Sequence, residues 1–213
     1  MTRSAASLLA ILAVSTSAFA DDLSPPPWRF GAGTTVQHWD FSAGPAGGVP
    51  DALPLFNPYG AGPLLSPLAP AAWFPNLMGR NHVWNISAGG GGGLDFFVPN
   101  TGNSANQKEL WLQLTYWVPV PAGPPGVQVT SGSGPFTQIS SQITALPGGW
   151  FHELSVWTVP ICPQKEVVHI FPQGVVSYID QVVIDTRCYP VPTPSAAATL
   201  ALGGLVAVRR RRR

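Results

Sequence analysis

Along residues 108–118 apolar and polar positions alternate with a period of two: Leu110, Leu112, Leu114 and Tyr116 fall on one side, Trp111, Gln113, Thr115 and Trp117 on the other. A β-strand sends successive side chains to opposite faces, so this run predicts a strand whose leucine face is core. Residues 150–158 repeat the split, with His152, Leu154 and Val156 on one side and Glu153, Ser155 and Trp157 on the other. Shorter runs dense in β-branched and aromatic residues read as further strands at 28–30, 34–41, 82–87, 94–98, 127–130, 136–143, 166–171 and 175–185. Gly- and Pro-rich turns separate them, among them Pro99-Asn100-Thr101-Gly102-Asn103 and Pro147-Gly148-Gly149. No stretch of the body sustains the i, i+3, i+4, i+7 spacing of an amphipathic helix. The pattern therefore predicts an all-β protein, a single antiparallel β-sandwich over residues 21–190.

Two stretches interrupt the alternation. Residues 42–75 are rich in Pro and Gly and read as a long loop, a place to look for ligand contacts because structureless loops of that length are usually functional or disordered. The Gly89–Gly93 run reads as a flexible connector between neighbouring strands 82–87 and 94–98. It is no phosphate loop, since neither a Gly-Lys-Ser/Thr ending nor a helix follows.

The two ends carry a different signal. Arg3, an apolar stretch at 5–14 and Ala18-Phe19-Ala20 form a signal peptide, predicting cleavage between Ala20 and Asp21. At the other end stand Val191-Pro192-Thr193-Pro194, an uncharged Ala/Leu/Gly/Val segment over 195–208, and Arg209 with the four arginines after it. As a helix that segment would reach only about 21 Å, short of the ~30 Å hydrocarbon core of a bilayer. The arginine cluster matches the cytoplasmic excess of basic residues that orients membrane segments. This order of parts resembles the PEP-CTERM sorting signal, whose motif is usually Val-Pro-Glu-Pro; Thr193 stands here where that family has Glu. The resemblance implies an exported protein of the cell surface or extracellular matrix, held transiently at the inner membrane by a C-terminal hydrophobic helix and processed by an exosortase-type enzyme.

Without these ends, five basic residues face ten acidic ones, a net charge of −5 in place of the chain's formal +1. That removes the electrostatic case for nucleic acid. The two cysteines, Cys162 and Cys188, both fall in the exported part, where an even pair is expected to be bridged. Tyr178-Ile179-Asp180-Gln181-Val182-Val183-Ile184-Asp185 resembles the closing strand of carbohydrate-binding jelly rolls. Ile179 and Val182, three apart, require a bulge at Asp180-Gln181.

Candidate chemistry is sparse. His38, His82, His152 and His169 are scattered without zinc-site spacing, and no Gly-x-Ser-x-Gly elbow occurs, so no catalytic or metal residues are assigned. Asp180 and Asp185 offer oxygen ligands that Ca²⁺ favours, but no Asp-x-Asp-x-Asp loop surrounds them, and no cofactor is expected. Asp95, Glu109, Glu153 and Asp180 are the carboxylates from which a glycan-active enzyme would draw its pair. The eight tryptophans stand out: Trp111, Trp117 and Trp157 lie opposite the aliphatic faces of their strands and are the candidate ligand-binding residues. Flat, rigid indoles stack on sugar rings, pointing to a non-catalytic module for polysaccharide, exopolysaccharide included. If residues 42–75 instead fold over that face, a purely structural surface protein is the alternative, and a glycan-active enzyme the second.

Overall fold

The computed structural model describes residues 22–59, 62–120 and 122–191. The expected signal peptide with its Ala20/Asp21 junction, Pro192, Thr193, Pro194 and the C-terminal hydrophobic segment lie outside the described residues.

The fold is all-β, with two antiparallel sheets. The larger runs β3 (Ala72–Leu77), β4 (Arg80–Ser87), β12 (Val176–Pro190), β6 (Asn106–Trp117), β10 (Phe151–Val159) and β9 (Thr137–Ala145), and β1 (Thr34–Trp39) also pairs with β12. The smaller runs β2 (Leu64–Leu68), β5 (Gly93–Pro99), β11 (Lys165–Phe171), β7 (Gly126–Ser131) and β8 (Gly134–Pro135). Between them Leu110, Leu112 and Leu114 of β6 meet Leu94, Phe96 and Val98 of β5 and Val168 and Ile170 of β11, all fully buried. Trp39 crosses the gap to Phe96 edge-on, ring centroids 4.9 Å apart.

β12 organises the larger sheet. One of its edges pairs with β6 from Tyr178 to Pro190; the other takes β4 first and β1 further on. Its register shifts between Ile179 and Gln181, the bulge that the three-residue spacing of Ile179 and Val182 demands, and both side chains stay in the core.

Four expectations need correction. Residues 42–75 are no continuous loop: they hold β2 and the start of β3, and Gly48 bridges to Leu65 and Phe56 to Val36. Pro67 and Pro75 obscured these strands in the sequence, yet proline is tolerated on sheet edges, where its missing N–H has no partner to lose. β4 and β5 are not neighbours, because they belong to different sheets, and the glycine run between them carries the chain across the sandwich. On β10, Glu153, Ser155 and Trp157 face the core, since they pair with Leu114, Leu112 and Leu110; His152, Leu154 and Val156 face outward. Residues 28–30 form a turn ahead of β1.

One end of the sandwich is fastened twice. Cys162 and Cys188 form a disulfide with Cα atoms 5.8 Å apart and a sequence separation of 26. Closing such a loop contributes ~3 kcal/mol by limiting the unfolded chain. Nearby, Lys108 Nζ lies 3.2 Å from Glu166 Oε1, an ion pair from one sheet to the other with both side chains fully buried. Thr186 Oγ1 accepts from Lys108 at 2.7 Å, and Asn100 Nδ2 donates to Glu166 Oε1 and Oε2 at 3.0 and 2.8 Å. Burial pushes Glu166 up and Lys108 down, and each charge pulls the other back.

Candidate functional site

The three candidate tryptophans do not share a face. Trp111 and Trp117 lie on the outer face of the larger sheet, whereas Trp157 pairs with Leu110 and lies on the inner one. Nor does the outer face present an open platform. Trp111 is half-buried, meeting Trp28 edge-on at 6.0 Å and donating its Nε1–H to Glu109 Oε1. Trp117 is half-buried with its ring tilted against Tyr178 at 5.3 Å.

The cover over Trp111 is the N-terminal segment, not residues 42–75. The backbone N–H of Ser24 donates to Gln113 Oε1 at 2.8 Å, and Arg29 bonds both Asp22 and Asp185. Two carboxylates share one guanidinium. Asp22 is held below its ordinary value, its hydrogen bonds from Arg29 and Gln113 outweighing partial burial. Asp185, fully buried, is pushed up to about 6, chiefly by burial and further by the Asp22 charge, against the pull of Arg29.

An acid raised on folding takes up a proton between its unfolded value near ~4 and its folded value, so its contribution to stability falls as pH rises through that window. Asp185 behaves this way, and burial raises Glu153 and Glu166 in the same direction. Asp22 opposes them only below its unfolded value near ~4. His38, whose imidazole burial holds below its ordinary value, opposes them as pH falls from about 7 to about 5. The melting-temperature difference between the wild type and Asp185→Asn should therefore shift in the wild type's favour across that interval. A difference that stays constant, or that shifts toward the variant, would contradict this assignment.

The open feature lies on the inner face, where the larger sheet extends past the smaller one. Register places Gln138 opposite Trp157, Ser141 opposite Ser155 and Ile143 opposite Glu153, so these β9 side chains continue the core face. Every residue of β9 is nevertheless exposed. The result is a cleft of about 550 Å³ counting its open mouth. One wall is Gln138, Ser141, Ile143, Glu153 and Trp157; Pro124, Pro125, Val127 and Gln173 form the other.

Glu153 is the chemical centre of this cleft. Ser141 donates its hydroxyl to Oε1 at 2.7 Å, while Oε2 is buried with no hydrogen-bond partner among the described residues. Burial pushes this carboxyl up, the Ser141 hydrogen bond pulls part of the way back, and its charge helps push up the Tyr116 phenol. A carboxyl so poised accepts from a ligand hydroxyl when ionised and donates to one when protonated. Trp157 is only 7% exposed and spends its Nε1–H on Ser155 Oγ, so it offers the cleft apolar surface rather than a donor.

The remaining sequence candidates are occupied elsewhere. Asp180 is bound by Arg80 and Asp185 by Arg29, both at 2.6 Å, which neutralises the oxygens a calcium ion would need. Asp95 pairs with His169 and Glu109 with Arg187, so neither faces Glu153 as a second carboxylate. No protein-family model matches this chain, and no curated protein matches it.

Gln138, Ser141 and Gln173 were not singled out by the sequence analysis. A signal was present in residues 137–145, Thr-Gln-Ile-Ser-Ser-Gln-Ile-Thr-Ala, a strand with strong β character but no consistently apolar face. Such a strand cannot pack both sides and belongs on a sheet margin.

Proposed function

We propose that this chain is an exported module of the cell surface or extracellular matrix that binds polysaccharide through the cleft between β9–β10 and β7, without catalysis. The supporting observation is the placement of Gln138, Ser141 and Glu153 on an inner sheet face that the second sheet leaves uncovered. Of these groups Glu153 is the buried one, its Oε2 without a hydrogen-bond partner among the described residues, and the exposed Gln138 and Ser141 beside it offer polar groups to a hydroxyl-bearing ligand entering the cleft. A sugar presents hydroxyls beside apolar C–H faces. The cleft matches both, with amide, hydroxyl and carboxyl groups set against Trp157, Ile143 and Pro125. The tail resembling a PEP-CTERM signal supplies the location, with an exosortase-type enzyme as processing partner and transient inner-membrane anchoring. The structural alternative draws on the coverage of Trp111 and Trp117, which removes an exposed aromatic surface.

The test is retention on immobilised exopolysaccharides in affinity electrophoresis. Gln138→Ala combined with Glu153→Gln should weaken retention by roughly tenfold, about the worth of one to two net hydrogen bonds. Unchanged retention in that variant, or none by the wild type on any polysaccharide tried, would leave the structural reading standing.

A further inference from the structure

The outermost strands of the two sheets are not defended alike. β2 carries Pro67, β3 carries Pro75, and β8 is two residues long and ends on Pro135. The far side of β1 is met by Phe56. β9 has none of these devices: nine residues without a proline or a charge, all exposed, with no strand beside its outer edge among the described residues. Unpaired backbone N–H and C=O groups along such an edge template another strand, which is why folded proteins ordinarily blunt them with proline, charge or brevity.

We infer that β9 pairs antiparallel with β9 of a second copy of this chain, about a two-fold axis normal to the sheet. Three observations favour a second copy over a foreign strand. Identical uncharged strands do not repel one another, and serine, threonine and glutamine residues form favourable cross-strand pairs. Ile139 and Ile143, 59% and 46% exposed, gain cover from the facing strand. Most decisively, the arithmetic of edges closes: one undefended edge per chain is consumed by one two-fold contact, and the strands left outermost bear proline, apart from β1, whose far side meets Phe56. Register along residues 140–145 is unbroken opposite β10, giving a straight stretch for pairing beyond the bulge at Ile139. A two-fold normal to the sheet keeps both inner faces on one side, so the two clefts open in the same direction from one continuous sheet. The inference does not depend on what the clefts hold.

The test is the solution mass of the full chain released by an exporting host, measured by light scattering. The wild type should have twice the mass of its single chain. Gln142→Lys with Thr144→Lys, both exposed and outside the cleft, places like charges along the contact and should give one chain mass with an unchanged melting curve measured at high dilution. Should that double variant fold poorly, Gln142→Glu alone serves, with dissociation shifted to higher concentration as its signature. A wild type that stays monomeric up to millimolar concentration, one that grows beyond a dimer, or a charged variant that folds and remains dimeric, overturns the inference.

Discussion

Replacing Lys108 with methionine should destabilise the fold by about 3–5 kcal/mol, because it strands the Glu166 carboxyl in a dry site. Lys108 and Glu166 are both fully buried, and without the ammonium the carboxyl keeps only the Asn100 amide. Thr186 Oγ1 also loses a donor. The double variant Lys108→Met, Glu166→Leu should recover much of the loss, since an apolar pair of similar volume needs no compensation for desolvation. Urea unfolding midpoints read both. A loss under ~1 kcal/mol for the single variant would mean that water reaches the pair or that both groups are already neutral.

Leu112→Ala should cost ~2–5 kcal/mol, the combined effect of lost burial and a cavity that the two sheets cannot collapse. Leu112 lies between Ser155 of β10 and Ile184 of β12 and is fully buried. Trp117→Ala should cost clearly less: its ring is half-exposed and chiefly loses contact with Tyr178, and such aromatic pairs are worth ~0.5–1.5 kcal/mol beyond area. Equal losses measured by the same urea titration would mean that Trp117 is as enclosed as the leucine.

The leucine face of β6 was legible from alternation alone because one face is sealed and period two is then obligatory. The bulge in β12 was legible for the same reason, since Ile179 and Val182 both have to reach the core. β10 misled. Its aliphatic residues Leu154 and Val156 face outward, while Glu153 faces inward into the cleft and Ser155 inward as a buried acceptor for the Trp157 Nε1–H, so polarity did not mark the solvent side. The proline-bearing strands β2 and β3 escaped for a related reason, because edge positions relax the composition that marks a central strand. The cleft itself depends on how far one sheet overhangs another, a quantity set by pairing between strands distant in sequence and carried by no local pattern. The N-terminal cover over Trp111 is equally non-local, resting on Arg29 reaching Asp185 across 156 residues.

Hydrogen exchange with and without a soluble fragment of a retained polysaccharide tests the binding role of the cleft most directly. Protection should rise at residues 138–143 of β9 and around Glu153, with the outer-face residues Trp111 and Trp117 unchanged. Protection that appears at Trp111 or Trp117 and spares β9 would place the ligand on the other side of the sheet and contradict the account.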